Sequence, residues 1–287
     1  MKTQNGFTLM NKNEIASYLA KQSITRKITR LQVHHMDLPN YSTWEKTDKK
    51  LFSEPHFGRT QSLDDYGKRK WGSSDGHGKY IAQHFNVFPD GMITTGRHLN
   101  STPIGIKGWN TGAICIEIYG DFDKGKDVMT KVQKEAVIAL YGELCKRFKI
   151  PVDTAHIRPH CWFTAGGAYI GDYSISRSAK TCPGTNFMGI GNTKKAFVNK
   201  FYPMIKKYIN GESTSKVKEP VQTSKYTTGV YRVNTDDLNV REKATSDSKK
   251  VGVVHKGDAY TITKISGNWG NLKSKLGWIH LGYCKKI

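Results

Sequence analysis

Long hydrophobic runs are missing from this chain of 287 residues. No stretch approaches the ~20 consecutive apolar residues that a membrane-spanning helix needs, so we expect no insertion into a membrane. The first residues, MKTQNGFTLMNKNE, also lack the apolar core of a secretory signal peptide. The sequence therefore predicts a protein that does not use the general secretion pathway.

Cysteine is scarce. The five cysteines, an odd number, are too widely spaced for a disulfide framework; they are Cys115, Cys145, Cys161, Cys182 and Cys284. We therefore expect reduced thiols, one of which could be a metal ligand.

Acidic residues are few, since 24 Asp and Glu face 45 Lys and Arg and leave a formal charge of +21. The excess is diffuse: residues 1–210 hold 31 basic and 17 acidic side chains, and residues 226–287 hold 11 and 5. Nucleic-acid-binding proteins more often concentrate such charge in one helix or loop with interleaved aromatic residues. We therefore expect a polyanionic partner or surface, but no nucleic acid.

A change of composition divides the chain. Residues 211–225 mix Gly, Ser, Thr, Pro and charges without apolar periodicity, which is typical of a linker. Residues 226–287 contain short β-rich runs separated by turns, and these predict a small all-β barrel. The runs are 229–233, 238–241, 250–255, 259–265 and 277–280.

Residues 1–210 alternate strands and helices, which predicts an α/β domain with a mixed central sheet flanked by helices. Strands are expected at 27–33, 80–87 and 113–118, the last nearly all apolar. A capping box at Asn11 predicts a short helix over 14–21. A second box, from Thr130 to Gln133, predicts a longer helix with Val132, Ala136 and Leu140 on its buried face.

Two imidazoles and one thiol in this region form a donor set that Zn²⁺ accepts. His34 and His35 end the first predicted strand, where neighbouring side chains point to opposite faces, so only one of them can join a given site. His156 and Cys182 lie far along the chain. Spacing alone does not select these residues, because ten histidines allow many accidental trios.

The order of several short motifs resembles the amidase-2 family of zinc-dependent N-acetylmuramoyl-L-alanine amidases. The matching pieces are LQVHH at 31–35, HFNVFPDG at 84–91, GR at 96–97, GWN at 108–110, AICIEIYG at 113–120, MTKVQ at 129–133, the segment around His156, and KTCPG at 180–184. The resemblance implies the fold of that family and of animal peptidoglycan-recognition proteins.

The resemblance also implies a role for individual residues. His34 rather than His35, with His156 and Cys182, would hold the zinc, while Glu117 would exchange protons and Lys180 would face the developing oxyanion. Three further residues are candidate substrate contacts, although each could equally serve in packing: His84, Trp109 and Asn110.

Two departures from the family pattern affect the candidate site. An insertion at 157–181 makes His160 a rival to His156, and Pro159 between them discourages a helical turn that would let both bind one metal. Gln83 stands where phage lysozyme-type members have a tyrosine. The aromatic residues of the insertion could stack on sugar rings or pack within their own loop.

The last predicted domain resembles the bacterial SH3-like domains of wall hydrolases, which attach enzymes to the bacterial cell wall. The matching residues include LNVR at 238–241, the turn ATSDS at 244–248, KGD at 256–258, and GWI at 277–279. Trp269 and Trp278 could be core residues or binding residues.

These resemblances predict three parts: a catalytic domain at 1–210, a linker at 211–225 and a wall-binding domain at 226–287. The expected reaction is hydrolysis of the amide between N-acetylmuramic acid and L-alanine in peptidoglycan. We expect a phage or prophage endolysin, made in the bacterial cytoplasm and acting on the wall after release. The alternatives are a host autolysin with the same chemistry and a non-catalytic peptidoglycan-binding protein.

Overall fold

The computed structural model describes residues 1–212, 226–245 and 248–287. The chain forms two compact units, residues 1–214 and 215–287. Apart from Gly211 and Glu212, the predicted linker lies outside the described residues, as do Ser246 and Asp247 of the predicted turn at 244–248.

The first unit is built on a seven-stranded sheet. Its strands are β1 (Lys2–Gln4), β2 (Phe7–Met10), β3 (Arg30–His35), β4 (Phe85–Val87), β5 (Ile93–Thr95), β6 (Ala113–Ile118) and β7 (Ile157–Pro159). They lie in the order β1-β2-β5-β4-β6-β3-β7. The last four are mutually parallel and the first three pairings are antiparallel. The predicted mixed α/β architecture is therefore confirmed.

Helices cover this sheet. They are α1 (Ile15–Ala20), α2 (Tyr41–Thr43), α3 (Lys49–Leu51), α4 (Pro55–Trp71), α5 (Lys131–Phe148), α6 (Lys194–Ala196) and α7 (Tyr202–Ile209). Short 3-10 turns occur at Lys12–Glu14, His160–Trp162 and Phe187–Gly189, and π-helical turns at Trp44–Asp48 and Phe197–Phe201. Helix α5 packs between α1 and α7. Among the described residues, no helix is both long enough and apolar enough to cross a bilayer.

Alternation along the central strands gives the sheet two different faces. On β3, Leu31 and Val33 belong to the hydrophobic core that contains α5, whereas Gln32 and His34 are buried polar residues on the other face. On β6, Ile116 joins the same core and Glu117 faces the opposite way. The apolar face therefore secures the sheet, and the polar face is available for chemistry.

Helix α5 begins at its predicted cap, where the Thr130 hydroxyl accepts a hydrogen bond from the Gln133 backbone N–H at 3.1 Å. The Gln133 side chain does not close a capping box. It is fully buried, and its Nε2 donates to the carbonyl oxygens of Val87 and Tyr119, each at 2.9 Å. Val132, predicted on the buried face, is 50% exposed.

Sequence analysis does not identify helix α4. Its buried positions are Phe57, Thr60, Asp64 and Gly67. They have helical spacing, but only the first is a large apolar residue, so no hydrophobic periodicity marks the helix. Gly67 is required because a Cβ there would lie 2.3 Å from the Tyr80 carbonyl oxygen.

The buried carboxylate of Asp48 ties α4 to the sheet. Its Oδ2 accepts hydrogen bonds from Arg59 Nε at 2.9 Å and from the Tyr119 hydroxyl at 2.7 Å. A second guanidinium nitrogen of Arg59 contacts Oδ1. Because Asp48 has no exposed surface, these bonds replace the water that its charge would otherwise need.

The second unit is a seven-stranded antiparallel sheet in the order β10-β9-β13-β12-β11-β8-β14. Its strands are β8 (Gly229–Val233), β9 (Asp237–Arg241), β10 (Lys250–His255), β11 (Ala259–Ser266), β12 (Trp269–Leu272), β13 (Trp278–His280) and β14 (Cys284–Lys286). The predicted all-β fold is confirmed. Among the described residues, the strands that the sequence analysis did not predict are β12 and β14. Trp269 and Trp278 lie outside the buried core of this unit.

Substitution Asp48→Ala should destabilise the first unit by about 3–5 kcal/mol, because it leaves the Arg59 guanidinium and the Tyr119 hydroxyl without their buried partner. The matched control is Glu45→Ala in the same turn, which removes an exposed ion pair with Lys49 and should cost less than about 1 kcal/mol. Urea unfolding of both variants measures the difference. Equal costs would contradict a stabilising role for Asp48.

Candidate active site

Two histidines and one cysteine meet at the ends of the central strands. Their potential ligand atoms, one each from His34, His160 and Cys182, all lie within 4.8 Å of one another. His34 Nδ1 is 3.6 Å from Cys182 Sγ, and the two imidazole centroids are 5.0 Å apart. His34 and Cys182 are buried, and His160 is partly exposed.

Strand register explains why His34 and His160 meet. Parallel β3 and β7 pair Leu31 with Ile157 and Val33 with Pro159. The residue after Val33 is His34 and the residue after Pro159 is His160, so both imidazoles lie at the same end of the sheet. His160, the first residue of the 3-10 turn after β7, thus places a second imidazole beside that of His34.

His156, predicted as the second ligand, lies at the other end of β7. It lies four positions before His160, and a strand advances by about 3.3 Å per residue, which amounts to roughly 13 Å. Its Nδ1 instead contacts Asp153 Oδ1 at 2.7 Å, and 35% of its side chain is exposed. His160, the alternative, therefore takes the place expected for His156.

The loop that carries Cys182 is fixed on both sides. Asp123 accepts hydrogen bonds from the Thr181 hydroxyl and from the Thr185 backbone N–H, each at 2.8 Å. The Cys161 backbone N–H donates to the Cys182 carbonyl oxygen at 2.8 Å. The thiol is therefore positioned relative to the same 3-10 turn that begins with His160.

Gln32 determines which nitrogen of His34 carries the proton. Gln32 Nε2 donates to the Trp109 carbonyl oxygen and to Asn110 Oδ1, both at 3.0 Å. Its Oε1 therefore faces His34 Nε2, at 3.4 Å, and must accept. With the proton on Nε2, the lone pair of His34 lies on Nδ1, which points toward Cys182.

Gly105 leaves the room that Gln32 occupies. A Cβ at residue 105 would lie 1.9 Å from Gln32 Oε1, and the Gly105 backbone N–H donates to Asn110 Oδ1 at 3.1 Å. Sequence analysis does not select Gln32 or Gly105. The available signal was the two-residue alternation of β3, which places Gln32 on the same face as His34.

Both imidazoles of the cluster are neutral near pH 7. Burial, with His160 and Lys180, holds the pKa of His34 well below its usual range. Burial, with Lys180 and His35, lowers the pKa of His160 to about 4. Burial and the neighbouring Glu117 carboxylate raise the pKa of the Cys182 thiol. The cluster thus presents lone pairs and no positive charge of its own.

Glu117 lies beside the cluster, because parallel β3 and β6 pair it directly with His34. Its Oε1 is 3.8 Å from His34 Nδ1, and 21% of its side chain is exposed. Burial raises the pKa of Glu117 to about 8, and Lys180 acts in the opposite direction. The pKa of the carboxyl group is therefore close to neutral pH, where one group can both accept and donate a proton.

An open cleft of about 1120 Å³ reaches the cluster. His34, Glu117, His160, Lys180 and Cys182 line its base. Helix α4 forms one wall, through residues that the sequence analysis did not identify, among them Arg59, Tyr66, Arg69 and Trp71.

The predicted substrate contacts lie elsewhere: within the described part of the chain, the residues lining the cleft do not include His84, Trp109 or Asn110. His84 is 1% exposed, and its ring nitrogens contact the Cys115 N–H and the Ser101 carbonyl oxygen, each at 3.0 Å. Trp109 is 7% exposed and packs against the guanidinium groups of Arg30 and Arg158. The Trp109 carbonyl oxygen and Asn110 Oδ1 accept hydrogen bonds from Gln32, so these two residues contact the site through Gln32.

The aromatic residues of the insertion mainly pack within the first unit. Trp162 and Phe163 belong to its hydrophobic core, and the Trp162 indole donates to the Asn192 carbonyl oxygen at 2.9 Å. Tyr169 is 41% exposed and packs against Arg158. Trp162 and Phe163 therefore serve in packing.

Fold and site together define an α/β protein with a His–His–Cys cluster at the base of an open cleft. Residues 24–185 match the Amidase_2 family, N-acetylmuramoyl-L-alanine amidase, and residues 236–285 match the bacterial SH3 domain. Because the first match spans more than half of the chain, this protein belongs to the N-acetylmuramoyl-L-alanine amidase family. Both predicted resemblances are confirmed.

Solved structures resemble part of the chain. Drosophila PGRP-LB is 18% identical, with 62% of this chain and 82% of that chain covered at a TM-score of 0.40. The N-acetylmuramoyl-L-alanine amidase LysC from Clostridium intestinale URNW is 21% identical, with 62% and 91% covered at a TM-score of 0.39. A comparison with curated protein sequences gives no match.

His160→Ala should abolish zinc binding, whereas His156→Ala should leave it intact, because His160 and not His156 lies with His34 and Cys182. Zinc content of the purified variants, measured by elemental analysis, checks this expectation. His156→Ala is the matched control, since it removes the same side chain four residues away. Loss of zinc from His156→Ala alone would overturn the assignment of His160.

Proposed function

We propose that this protein hydrolyses peptidoglycan at the amide bond between N-acetylmuramic acid and L-alanine. The observation that carries the proposal is the juxtaposition of the His34–His160–Cys182 cluster with Glu117 at the base of an open cleft. Membership of the amidase family supplies the reaction class.

The cluster fits a zinc ion. Two neutral imidazole nitrogens and a sulfur are a donor set that Zn²⁺ prefers, and three protein ligands leave one position open for chemistry. His34 Nδ1, one ring nitrogen of His160 and Cys182 Sγ would hold it. A zinc ion there would supply Lewis-acid chemistry, which polarises a carbonyl group and makes water more acidic.

Glu117 would act as the general base and then the general acid. Its carboxylate accepts a proton from the attacking water and later returns it to the nitrogen of the departing L-alanine. The raised pKa supports both steps, since a carboxyl group near its pKa at neutral pH exchanges protons in either direction.

Lys180 would stabilise the transition state. Lys180 lines the cleft with Glu117, and its charge lowers the pKa of the Glu117 carboxyl group, against the effect of burial. A cation aimed at the cleft stabilises the negative charge that develops on the scissile carbonyl oxygen. Lys180 would therefore stabilise the negative charge on the carbonyl oxygen, while Glu117 would move the proton.

The second unit would attach the enzyme to the bacterial cell wall. Its match to the bacterial SH3 domain supports this role, and the positive charge of both units favours an anionic surface. The assignment as a phage or prophage endolysin stays a prediction.

The identity of the cleaved bond tests the proposal. Digestion of purified peptidoglycan from a susceptible wall should expose new amino groups on L-alanine without any increase in reducing sugar ends. Amino-terminal analysis and a reducing-sugar assay measure the two products.

Each other outcome has a distinct meaning. New amino groups on glycine, D-alanine or a diamino acid would indicate an endopeptidase, and new reducing ends would indicate a glycosidase. Wall binding without either product, by zinc-loaded protein, would favour the non-catalytic alternative. Each of these results contradicts the proposed reaction.

Glu117→Gln should retain zinc but lower the rate by roughly 10²-fold or more, because the amide side chain cannot take the proton. Glu135→Gln, on α5 and outside the cleft lining, where Glu135 pairs with Lys12, is the control and should leave the rate unchanged. Release of L-alanine amino groups from soluble muropeptides gives the rates. Near-normal turnover by zinc-loaded Glu117→Gln would remove its assigned role.

Lys180→Ala should also retain zinc, since Lys180 is not among the potential ligands, and should lower the rate by roughly 10²-fold through the loss of oxyanion stabilisation. Lys124→Ala, a change at a lysine outside the cleft lining, serves as the control for charge. The same assay with measured zinc content applies. A drop in rate that matches the drop in zinc content would contradict a role in the chemical step.

A further inference from the structure

The second unit has a cavity of its own, about 580 Å³ in volume, within the range of about 300–1,000 Å³ typical of small-ligand sites. Its wall contains three rings, those of Trp269, His280 and Tyr283. Three polar residues of the wall come from one strand, β9: Asp237, Asn239 and Arg241.

The rings form a connected group. Antiparallel β12 and β13 pair Trp269 with His280, and their ring centroids are 5.1 Å apart at an interplanar angle of 87°. The His280 and Tyr283 centroids are 5.3 Å apart. None of the three belongs to the buried core of this unit as the structure describes it, and Tyr283 is 55% exposed.

The polar residues line up through strand alternation. On β9, Leu238 and Val240 point into the core, so Asp237, Asn239 and Arg241 share the outer face. Because β13 lies between β9 and β12, Trp269, His280 and the polar side chains lie on neighbouring strands. Tyr283 follows β13 in the 3-10 turn Leu281–Tyr283 and lines the same cavity.

We propose that this cavity binds the saccharide part of the wall polymer, an N-acetylhexosamine unit of the glycan strand. A pyranose ring has C–H-rich faces that pack on aromatic side chains and a rim of hydroxyl groups. Carboxylate, amide and guanidinium groups can accept from and donate to neighbouring hydroxyls. The choice of glycan strand rests on the proposed function.

Two other ligands fit less well. An extended peptide would add to a sheet through an unpaired strand edge, but β9, β13 and β12 each have neighbours on both sides. An anionic polymer would meet the Asp237 carboxylate as well as the Arg241 guanidinium, so the cavity itself has no excess of positive charge. A saccharide needs neither an unpaired strand edge nor an excess of positive charge, so it fits this cavity better.

The test uses the full chain, ¹⁵N-labelled, and the tetrasaccharide of N-acetylglucosamine, which contains no amide that the proposed reaction cleaves. Titration should shift the NMR signals of the Trp269 indole, assigned through Trp269→Phe, and of Asn239. The double variant Asn239→Ala/Tyr283→Ala should weaken binding by about tenfold or more. Asn268→Ala, at an exposed turn of the same unit outside the cavity wall, should not.

Parallel titrations with a free stem pentapeptide and with poly(glycerol phosphate) distinguish a saccharide ligand from a peptide or an anionic polymer. Shifts at Trp269 and Asn239 with either of these, but not with the tetrasaccharide, would overturn the proposal, as would saccharide binding that the double variant leaves unchanged. If the double variant unfolds, the shift map of the unmodified chain decides alone.

Amide hydrolysis of soluble muropeptides by the same samples separates the two proposals. Hydrolysis without saccharide shifts would overturn the saccharide site and leave the proposed function standing. Saccharide shifts without hydrolysis would overturn the proposed amide hydrolysis and leave the saccharide site standing.

Discussion

The parallel pairing of β3 with both of its neighbours is the constraint on which the candidate site depends. It sets His34 opposite Glu117 on one side and level with His160 on the other. A slip of one residue in either pairing would turn a functional side chain to the opposite face of the sheet. The apolar face prevents such a slip, because Leu31, Val33 and Ile116 would then leave the core.

Features with a strong apolar pattern were predictable from the sequence. Strand β6 was predicted with its observed bounds, because its near-continuous run of apolar residues is typical of a buried parallel strand. Helix α5 followed from its N-cap and its periodicity. Strands β8 and β10 were also predicted with their observed bounds, since turn residues delimit both.

Features that depend on tertiary polar contacts were not predictable. Helix α4 buries Thr60, Asp64 and Gly67, whose types indicate no buried face until their partners are known. The choice between His156 and His160 depends on where β7 pairs with β3, which no local pattern reveals. The polar support of His34 by Gln32 and Asn110 joins residues 78 positions apart.

The two units show how one alternation rule produces different surfaces. In the first, alternation places polar chemistry beneath a cleft that α4 walls on one side. In the second, it leaves rings and polar groups on the outer face of a small antiparallel sheet. Antiparallel sheets readily expose one face in this way, whereas parallel sheets are normally covered on both. The contrast fits the proposed reaction centre of the first unit and the proposed binding surface of the second.

Gly105 has a consequence for how this site can evolve. It belongs to the cleft wall, yet the space above its Cα is taken by the amide that fixes the proton on His34. Any larger residue recruited there to reshape the fit of a new substrate would displace Gln32 and disturb the electronic state of the cluster. Adaptation of substrate preference is therefore expected to proceed through α4, whose cleft-lining residues are separate from the candidate metal ligands.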